Sequence, residues 1–290
     1  MKIGAVYPQI ELGGSPRGLH TVARAVEDLG LDHLLMYDHV LGVARENRDP
    51  PMQAYYGETD PFHDPFVAFG YLAGITTRLE FFTGVLVLPQ RQTALVARQA
   101  ADVALLSGGR LTLGVGVGWN RIEYTALGQA FETRGKRLDE QIPLLRQLWS
   151  GEIVDVKGRF DSIDRAALCP CPPQQIPIFF GGFTPPAFLR ASRIGDGFVF
   201  GGQRVAGLIE QWGDMKKLLA ENGRSDSQFG ANALIMNDQT GGLPVHEAAD
   251  AVRAWRDAGG THASIVSMAL NLTSSEQHID YFGEVFERSR

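Results

Sequence analysis

The sequence predicts an α/β protein whose 290 residues form one domain, a (β/α)8 TIM barrel with an insertion hairpin around residues 151–175. Short apolar runs alternate with amphipathic stretches along the whole chain, as in repeated strand–helix units. The alternation occurs eight times. That number favours a closed barrel over an open doubly wound sheet, although the count alone leaves the second arrangement open.

Eight apolar runs are the predicted strands. Several have apolar residues at consecutive positions, as expected for strands that are covered on both faces. In chain order they are Lys2–Pro8, His33–Tyr37, Leu79–Leu88, Leu111–Val117, Ile176–Phe180, Gly197–Phe200, Gly230–Met236 and His262–Met268.

Helices are predicted between these strands from apolar residues at helical spacing and from residues that begin or end helices. Asp64-Pro65 and Thr184-Pro185 each place a capping side chain before a proline at the first helical position. The other predicted helices contain Val22–Leu29, Thr93–Leu106, Leu138–Trp149, Leu208–Leu219 and Ala248–Ala258, or begin at Ser275.

Two segments depart from the repeat. Residues His39–His63 form a long polar loop after the second strand, and such loops in compact domains usually cover an active site or bind a ligand. Residues Gly151–Gln175 contain two short strand-like runs, Glu152–Val156 and Phe160–Ile163, and predict a small hairpin followed by a proline-rich run.

Composition argues against several classes of function. The net charge of -6 is unlike the concentrated basic face of a nucleic-acid-binding protein. No apolar stretch approaches the ~20 residues of a membrane span, and the first apolar run is too short for a secretory signal. Cys169 and Cys171 are too few for a disulfide framework, and no histidines flank them as in a metal site. We therefore expect a soluble, cytoplasmic protein without a metal centre.

Glycine pairs leave two of the predicted strands at the end of the barrel where active sites lie. Gly181-Gly182 comes before a capped helix, and Gly201-Gly202 leaves the next strand. Backbone N–H groups at such a turn can point at a phosphate, aided by the helix N-terminus. A tight strand-to-helix turn explains the first pair equally well.

Alternating glycines mark the fourth predicted strand. Gly114, Gly116 and Gly118 would face one side, which leaves room for a flat ligand against the backbone. The spacing does not fit the dinucleotide fingerprint. Small residues needed for barrel packing are the alternative explanation.

His39 is the strongest candidate for an acid–base group, because imidazole titrates near neutral pH and His39 follows a strand. A structural histidine is the plainer alternative. No serine-hydrolase elbow, zinc-protease helix or P-loop occurs in the sequence. A glycoside-hydrolase carboxylate pair could be drawn from several residues, but no spacing selects one; the candidates are Asp38, Glu58, Asp60, Asp64 and Glu123.

These motifs, in this order, closely resemble the bacterial luciferase-like monooxygenase superfamily, in particular its F420-dependent (deazaflavin) oxidoreductases. The resemblance extends from near residue 2 to about residue 200, and the C-terminal third matches mainly in pattern. The motifs that carry it are Tyr37-Asp38-His39, Thr83-Gly84-Val85-Leu86-Val87-Leu88-Pro89-Gln90-Arg91, Leu106-Ser107-Gly108-Gly109-Arg110, Leu113-Gly114-Val115-Gly116-Val117-Gly118-Trp119, Arg134-Gly135-Lys136-Arg137, Gly181-Gly182-Phe183-Thr184 and Gly195-Asp196-Gly197.

The resemblance implies coenzyme F420, with FMN as the alternative, bound at the barrel mouth. It also implies a homodimer acting on a small molecule. His39 would be the catalytic residue near the reactive edge of the ring, and Trp119 and Tyr56 would face the substrate. In this family the third strand often carries a bulge with a non-proline cis peptide. The cofactor-binding residues it implies are Asp38, His39, Thr83, Gly84, Gly116, Gly118, Asn120, Gly181, Gly182 and Gly201.

Four interpretations of the function remain open at this point. The first is hydride transfer with F420 to or from an unidentified small organic substrate, and the second is an FMN-dependent monooxygenase, which would also activate oxygen. A carboxylate-based barrel hydrolase is the alternative without a flavin. A protein that binds the cofactor without catalysis is a further alternative.

Overall fold

Eight parallel strand positions close into a barrel in the computed structural model, which describes residues 1–49 and 54–290. The barrel closes because β3 pairs with β2 on one side and with β5 on the other. This confirms the predicted (β/α)8 fold. The barrel strands are β1 (Lys2–Val6), β2 (His33–Met36), β3 (Glu80–Thr83), β4 (Leu86–Val87), β5 (Leu111–Gly116), β8 (Ile178–Gly181), β9 (Gly197–Phe200), β10 (Gly230–Ile235) and β11 (His262–Ile265).

The third strand position differs from the sequence prediction. The run Leu79–Leu88 is not one strand but two short ones, β3 and β4, separated by a bulge. The peptide bond between Gly84 and Val85 in this bulge is cis, as the family resemblance implies. A side chain at Gly84 would collide with Leu35, so only glycine fits there.

Helices surround the barrel where the sequence predicts them, and one short helix after the fourth strand position, Arg121–Ala126, was not predicted. They are α1 (Pro16–Asp28), α2 (Pro65–Ala73), α3 (Thr93–Ser107), α4 (Arg121–Ala126), α5 (Arg134–Leu148), α6 (Pro185–Ile194), α7 (Val205–Glu221), α8 (Val245–Asp257) and α9 (Ser275–Ser289). The predicted cap at Asp64 is present, since its carboxylate accepts the amide of Val67 at 3.1 Å. Thr184 occupies the corresponding position before α6, but its side chain makes no capping hydrogen bond. The prediction of a Thr184 cap is therefore wrong.

The predicted hairpin is present, formed by antiparallel β6 (Val154–Lys157) and β7 (Ser162–Ala166). One side chain fixes it to the barrel. The Glu140 carboxylate on α5 accepts the amides of residues 159, 160 and 161 at 3.0, 2.9 and 2.8 Å. Within the described ranges, no helix combines the length and apolar character needed to cross a membrane.

Side chains fill the barrel interior and close its amino-terminal end. The apolar members are Val6, Leu35, Phe82, Phe179, Val199, Leu234, Met236 and Val266. Below them His33 Nε2 lies 2.7 Å from the Ser264 hydroxyl, which donates to Asn232 Oδ1 at 3.1 Å. The barrel is therefore open to ligands only at the carboxyl ends of its strands.

Candidate functional site

A cleft with a volume of about 360 Å³ opens at the carboxyl ends of the strands. Its walls come from the segments that follow the second to sixth strand positions, and Leu234 contributes from the seventh. The lining residues are Tyr37, Asp38, His39, Gly84, Val85, Val87, Gly116, Val117, Gly118, Trp119, Arg134, Leu138, Phe180, Gly181, Gly182, Phe183, Thr184, Ala187, Arg190, Val199, Gly201 and Leu234.

His39 lies in the wall of this cleft, directly after β2, with its side chain 18% exposed. Its ring packs against Tyr56, at 3.7 Å between ring centroids, and edge-on against Phe62 at 4.7 Å. Burial lowers the pKa of His39 to about 3, so the imidazole is neutral at physiological pH. Its Nδ1 atom is buried and has no hydrogen-bond partner in the described part of the chain.

Glu123 lies behind His39, with its Oε1 atom 3.9 Å from Nδ1. The same oxygen accepts the amides of Val40 at 2.7 Å and Leu41 at 3.1 Å, and the Tyr56 hydroxyl at 3.2 Å. Burial raises the pKa of the Glu123 carboxyl, and the two amides oppose that rise. Glu123 therefore fixes the backbone that carries His39. The sequence offered Glu123 only as one of several carboxylates, because nothing in its spacing connects it with His39.

Asp38 has a structural role. Its side chain is completely buried, forms an ion pair with Arg91 at 2.6 Å and accepts the amide of Val87 at 2.9 Å. Burial raises the pKa of Asp38, and the Arg91 guanidinium opposes the rise. These bonds join the end of β2 to β4 and to the segment that follows it, and they leave neither carboxylate oxygen free for catalysis. Asp60 and Asp64 are also engaged, in bonds to the Gly57 amide and to α2, so the hydrolase alternative gains no support.

The space left by the glycines of β5 and β8 is filled by a side chain of the bulge rather than left open for a ligand. A Cβ atom at Gly116 would lie 2.6 Å from Val85 Cγ2, and one at Gly181 would lie 2.7 Å from Val85 Cγ1. Val85 thus fits between two strands that have no side chains there. A Cβ at Gly114 would collide with the Thr83 carbonyl oxygen. Barrel packing, rather than ligand contact, explains Gly114.

The structure brings most of the expected site residues together and places three behind the wall. Those that line the cleft are Asp38, His39, Gly84, Gly116, Gly118, Trp119, Gly181, Gly182 and Gly201. Thr83 does not line it and donates its hydroxyl to Gly114 O at 2.7 Å. Asn120 caps α4 through the Ile122 amide and donates to the Tyr56 hydroxyl at 3.1 Å. In this structure Thr83, Asn120 and Tyr56 support the wall and do not line the cleft, and their expected contact with ligand stays a prediction.

Arg134 and Arg190, whose role the sequence did not indicate, supply positive charge at the α5–α6 end of the cleft. Arg190 pairs with Asp139 at 2.6 Å, whereas the buried Nε of Arg134 has no partner in the described residues. The expected helix N-terminus contributes less than predicted, because α6 begins with two prolines, which have no N–H. The amides of Gly182, Phe183 and Thr184 make no hydrogen bond within the described ranges and can face an anion instead.

This arrangement fits a flat ring with a phosphate-bearing side chain. The glycines of β5 and β8 let the side chain of Val85 pack into the wall instead of projecting across the cleft, and the arginines and free amides at the α5–α6 end can donate hydrogen bonds to a phosphate. A neutral imidazole lies in the wall on the side of β2.

Comparison with known proteins agrees with this reading. An uncharacterised protein of Mycobacterium tuberculosis is 37% identical over 201 residues, 69% of this chain and 66% of that protein. An F420-dependent glucose-6-phosphate dehydrogenase of Amycolatopsis mediterranei is 31% identical over 203 residues, 69% of this chain and 57% of that protein. An FMNH2-dependent dimethylsulfone monooxygenase of Pseudomonas fluorescens is 32% identical over 183 residues, 62% and 50% of the two chains. The matches span less than two thirds of the length of these relatives.

Solved structures share the fold over its full length. One of them is an F420-dependent secondary alcohol dehydrogenase in complex with an F420–acetone adduct. It superposes on this chain with a TM-score of 0.79 and an identity of 18%, and the match covers 100% of this chain and 99% of that one. The F420-dependent tetrahydromethanopterin reductase of Methanopyrus kandleri gives 0.75 over 100% of both chains, at 15% identity. The model of the luciferase-like monooxygenase family matches residues 4–281. This chain belongs to the luciferase-like monooxygenase family.

Proposed function

We propose that this protein is an F420-dependent oxidoreductase that transfers a hydride to or from a small organic substrate. The observation that carries the proposal is the position of His39, a neutral imidazole in the wall of a glycine-lined cleft whose α5–α6 end is cationic. The F420-dependent relatives and the family membership support it.

Residues of the cleft fall into two groups with respect to the cofactor. Gly84, Val85, Gly116 and Gly118 would lie against the ring. A second group would hold the phosphate, namely Gly181, Gly182, Gly201, Arg134, Arg190 and the free amides of residues 183 and 184. The bound deazaflavin would supply the ring carbon that takes or gives the hydride, and the protein supplies orientation and proton movement.

His39 would move the proton. Burial lowers its pKa, so the ring is neutral at physiological pH and has a nitrogen lone pair that can take the proton of a substrate hydroxyl as the hydride leaves. Nδ1 faces Glu123, which leaves Nε2 for the cleft. A positive charge on the ring would then lie beside a carboxylate, which offsets part of the burial that disfavours it.

FMN is the second candidate, because an FMNH2-dependent monooxygenase is among the relatives. The deciding experiment is a titration of the protein with F420 and with FMN, each oxidised and reduced, in which fluorescence gives the dissociation constant of each cofactor. We expect F420 to bind at least about tenfold more tightly, and Gly181→Val to abolish binding because Val85 already occupies the space. Tighter binding of FMN would transfer the proposal to the monooxygenase, and binding of neither would refute both.

A cofactor-binding protein without catalysis is separated by a second measurement. Single-turnover oxidation of bound, reduced cofactor by a panel of carbonyl acceptors should proceed in the wild type and slow by about 10²-fold or more in His39→Asn. Equal rates in the two proteins would remove His39 from the chemistry.

We also propose a homodimer. Large apolar side chains project from α2 and α3: Val67 is 72% exposed, Tyr71 47%, Leu95 51% and Leu106 68%. Such a concentration is typical of an interface between subunits. Leu106→Glu should halve the mass measured by light scattering, whereas Ile153→Glu on the hairpin, also at an exposed apolar position, should leave it unchanged. A wild-type monomer would refute the proposal.

A further inference from the structure

The charged side chains that line the cleft are unequally distributed. Its two cations, Arg134 and Arg190, belong to α5 and α6 and lie side by side, since Arg190 Nη2 would be 2.7 Å from a Cβ placed on Gly135. This end serves the cofactor phosphate in the proposed function. A second anionic group would need its own cations elsewhere in the cleft.

The end of the cleft around His39 contains no such cation among the lining residues that the structure describes. Arg91, which lies behind it, is engaged with Asp38 and Asp64. Two ionisable groups lie close to the imidazole, the carboxyl of Glu123 at 3.9 Å from Nδ1 and the phenol of Tyr56, whose ring packs at 3.7 Å between centroids. Arg45 of the same loop lies against Gly57 and does not line the cleft. The four residues outside the described ranges are also uncharged by sequence: Pro50, Pro51, Met52 and Gln53. A phosphate or carboxylate here would be desolvated beside negative charge without a counter-ion, which is strongly unfavourable.

Apolar and aromatic side chains form the walls at this end. Val87 and Trp119 line it, and Leu234 lies at the barrel interior beneath. Three groups at this end can hydrogen-bond to a ligand: the imidazole of His39, the phenol of Tyr37 and the indole N–H of Trp119. A mostly apolar pocket with few hydrogen-bonding groups suits a ligand with one oxygen function on an apolar body.

We infer that the substrate is an uncharged molecule with an apolar body and a reactive hydroxyl or carbonyl group. The inference rests on the proposed function. In the oxidising direction, the substrate C–H bond breaks and its electron pair passes to the oxidised deazaflavin, while the O–H proton passes to His39 Nε2 and a C=O bond forms. Reduction of the carbonyl runs through the same transfers in reverse. Phosphorylated sugars, such as the substrate named for one relative, do not fit.

Matched ligands that differ only in charge test this inference. With the F420-loaded protein, calorimetry compares acetophenone with 4-acetylbenzoate, and absorbance follows F420 reduction by 1-phenylethanol, 4-(1-hydroxyethyl)benzoate and glucose 6-phosphate. We expect the neutral ketone to bind at least about tenfold more tightly and the neutral alcohol alone to reduce the cofactor. Tighter binding of the benzoate, turnover of glucose 6-phosphate, or binding of neither ketone would overturn the inference.

F420 binding, measured beforehand by fluorescence, separates the two proposals. If F420 binds and the charge preference is reversed, only the substrate inference fails; if F420 does not bind, both fail. A variant adds an independent check. Trp119→Arg places a cation in the half-buried wall and should raise the affinity for 4-acetylbenzoate by about tenfold, whereas Trp119→Phe should retain the preference for the neutral ketone. An unchanged preference in Trp119→Arg would contradict the electrostatic argument.

Discussion

Histidines in buried positions should make the fold sensitive to mild acid. Burial lowers the pKa of His39 to about 3 and of His262 to about 4, and it lowers that of His33 well below its usual range. The unfolded chain, with a histidine pKa of about 6.5, therefore binds protons before the folded protein does. The stability that these neutral rings contribute is complete above about pH 6.5 and is lost as the pH falls below it.

The magnitude follows from the pKa values. Between about pH 7.5 and pH 5.5, a histidine with a folded pKa near 4 and an unfolded pKa near 6.5 lowers the free energy of unfolding by about 1.3 kcal/mol. His39 and His262 together give about 2.7 kcal/mol, a substantial part of the ~5–15 kcal/mol that stabilises a typical domain, and the lowered pKa values of His33 and His278 act in the same direction.

Urea unfolding at several pH values measures this effect one histidine at a time. His262→Asn should lose about 1.3 kcal/mol less than the wild type over the same pH interval, whatever its stability at neutral pH. His246→Asn, at an exposed position on α8, should follow the wild-type curve. Parallel curves for His262→Asn and the wild type would show that the buried ring is not the group that takes up the proton.

Three further substitutions probe the cleft. Gly116→Ala should displace the bulge and so weaken F420 binding by about tenfold or more. Gly213→Ala is the control, because its Cβ meets no neighbour; it should leave binding unchanged and stabilise α7 by up to about 1 kcal/mol. Equal F420 affinities of the two variants would contradict the packing argument. Asp38→Asn should lower the free energy of unfolding by about 3–5 kcal/mol because Arg91 would remain buried without its counter-charge, and denaturant titration would reveal a smaller loss if the pair were dispensable. Glu123→Gln should keep cofactor affinity but lower the rate of proton transfer by about tenfold or more, visible as a larger solvent isotope effect; an unchanged rate and isotope effect would limit the carboxylate to a structural role.

The order of strands and helices was predictable because it depends on local patterns. Consecutive apolar residues, proline at the first helical turn and the Gly108 stop after α3 all act within a few residues. The break between β3 and β4 was not predictable in this way. It depends on Val85 fitting between two glycine positions that are distant in sequence and adjacent only in the closed barrel.

The candidate site was predictable to the level of strand ends but not of side-chain direction. His39, Trp119 and the cleft glycines follow strands and do line the cleft. Tyr56 and Asn120 occupy equally suitable positions in the sequence, yet they turn away and bond to each other. A side chain's direction at a strand end is set by neighbouring loops, and no local pattern records it.

The hydrogen bonds between Glu123 and the loop after β2 also show how one end of the cleft could change independently of the other. One carboxylate oxygen holds this loop at Val40, Leu41 and Tyr56, whereas the cationic end of the cleft is formed by α5, α6 and the turn after β8. The two halves of the site therefore occupy separate stretches of chain. We therefore expect that a change in the loop contact with Glu123 would shift His39 without displacing Arg134 and Arg190, which belong to α5 and α6.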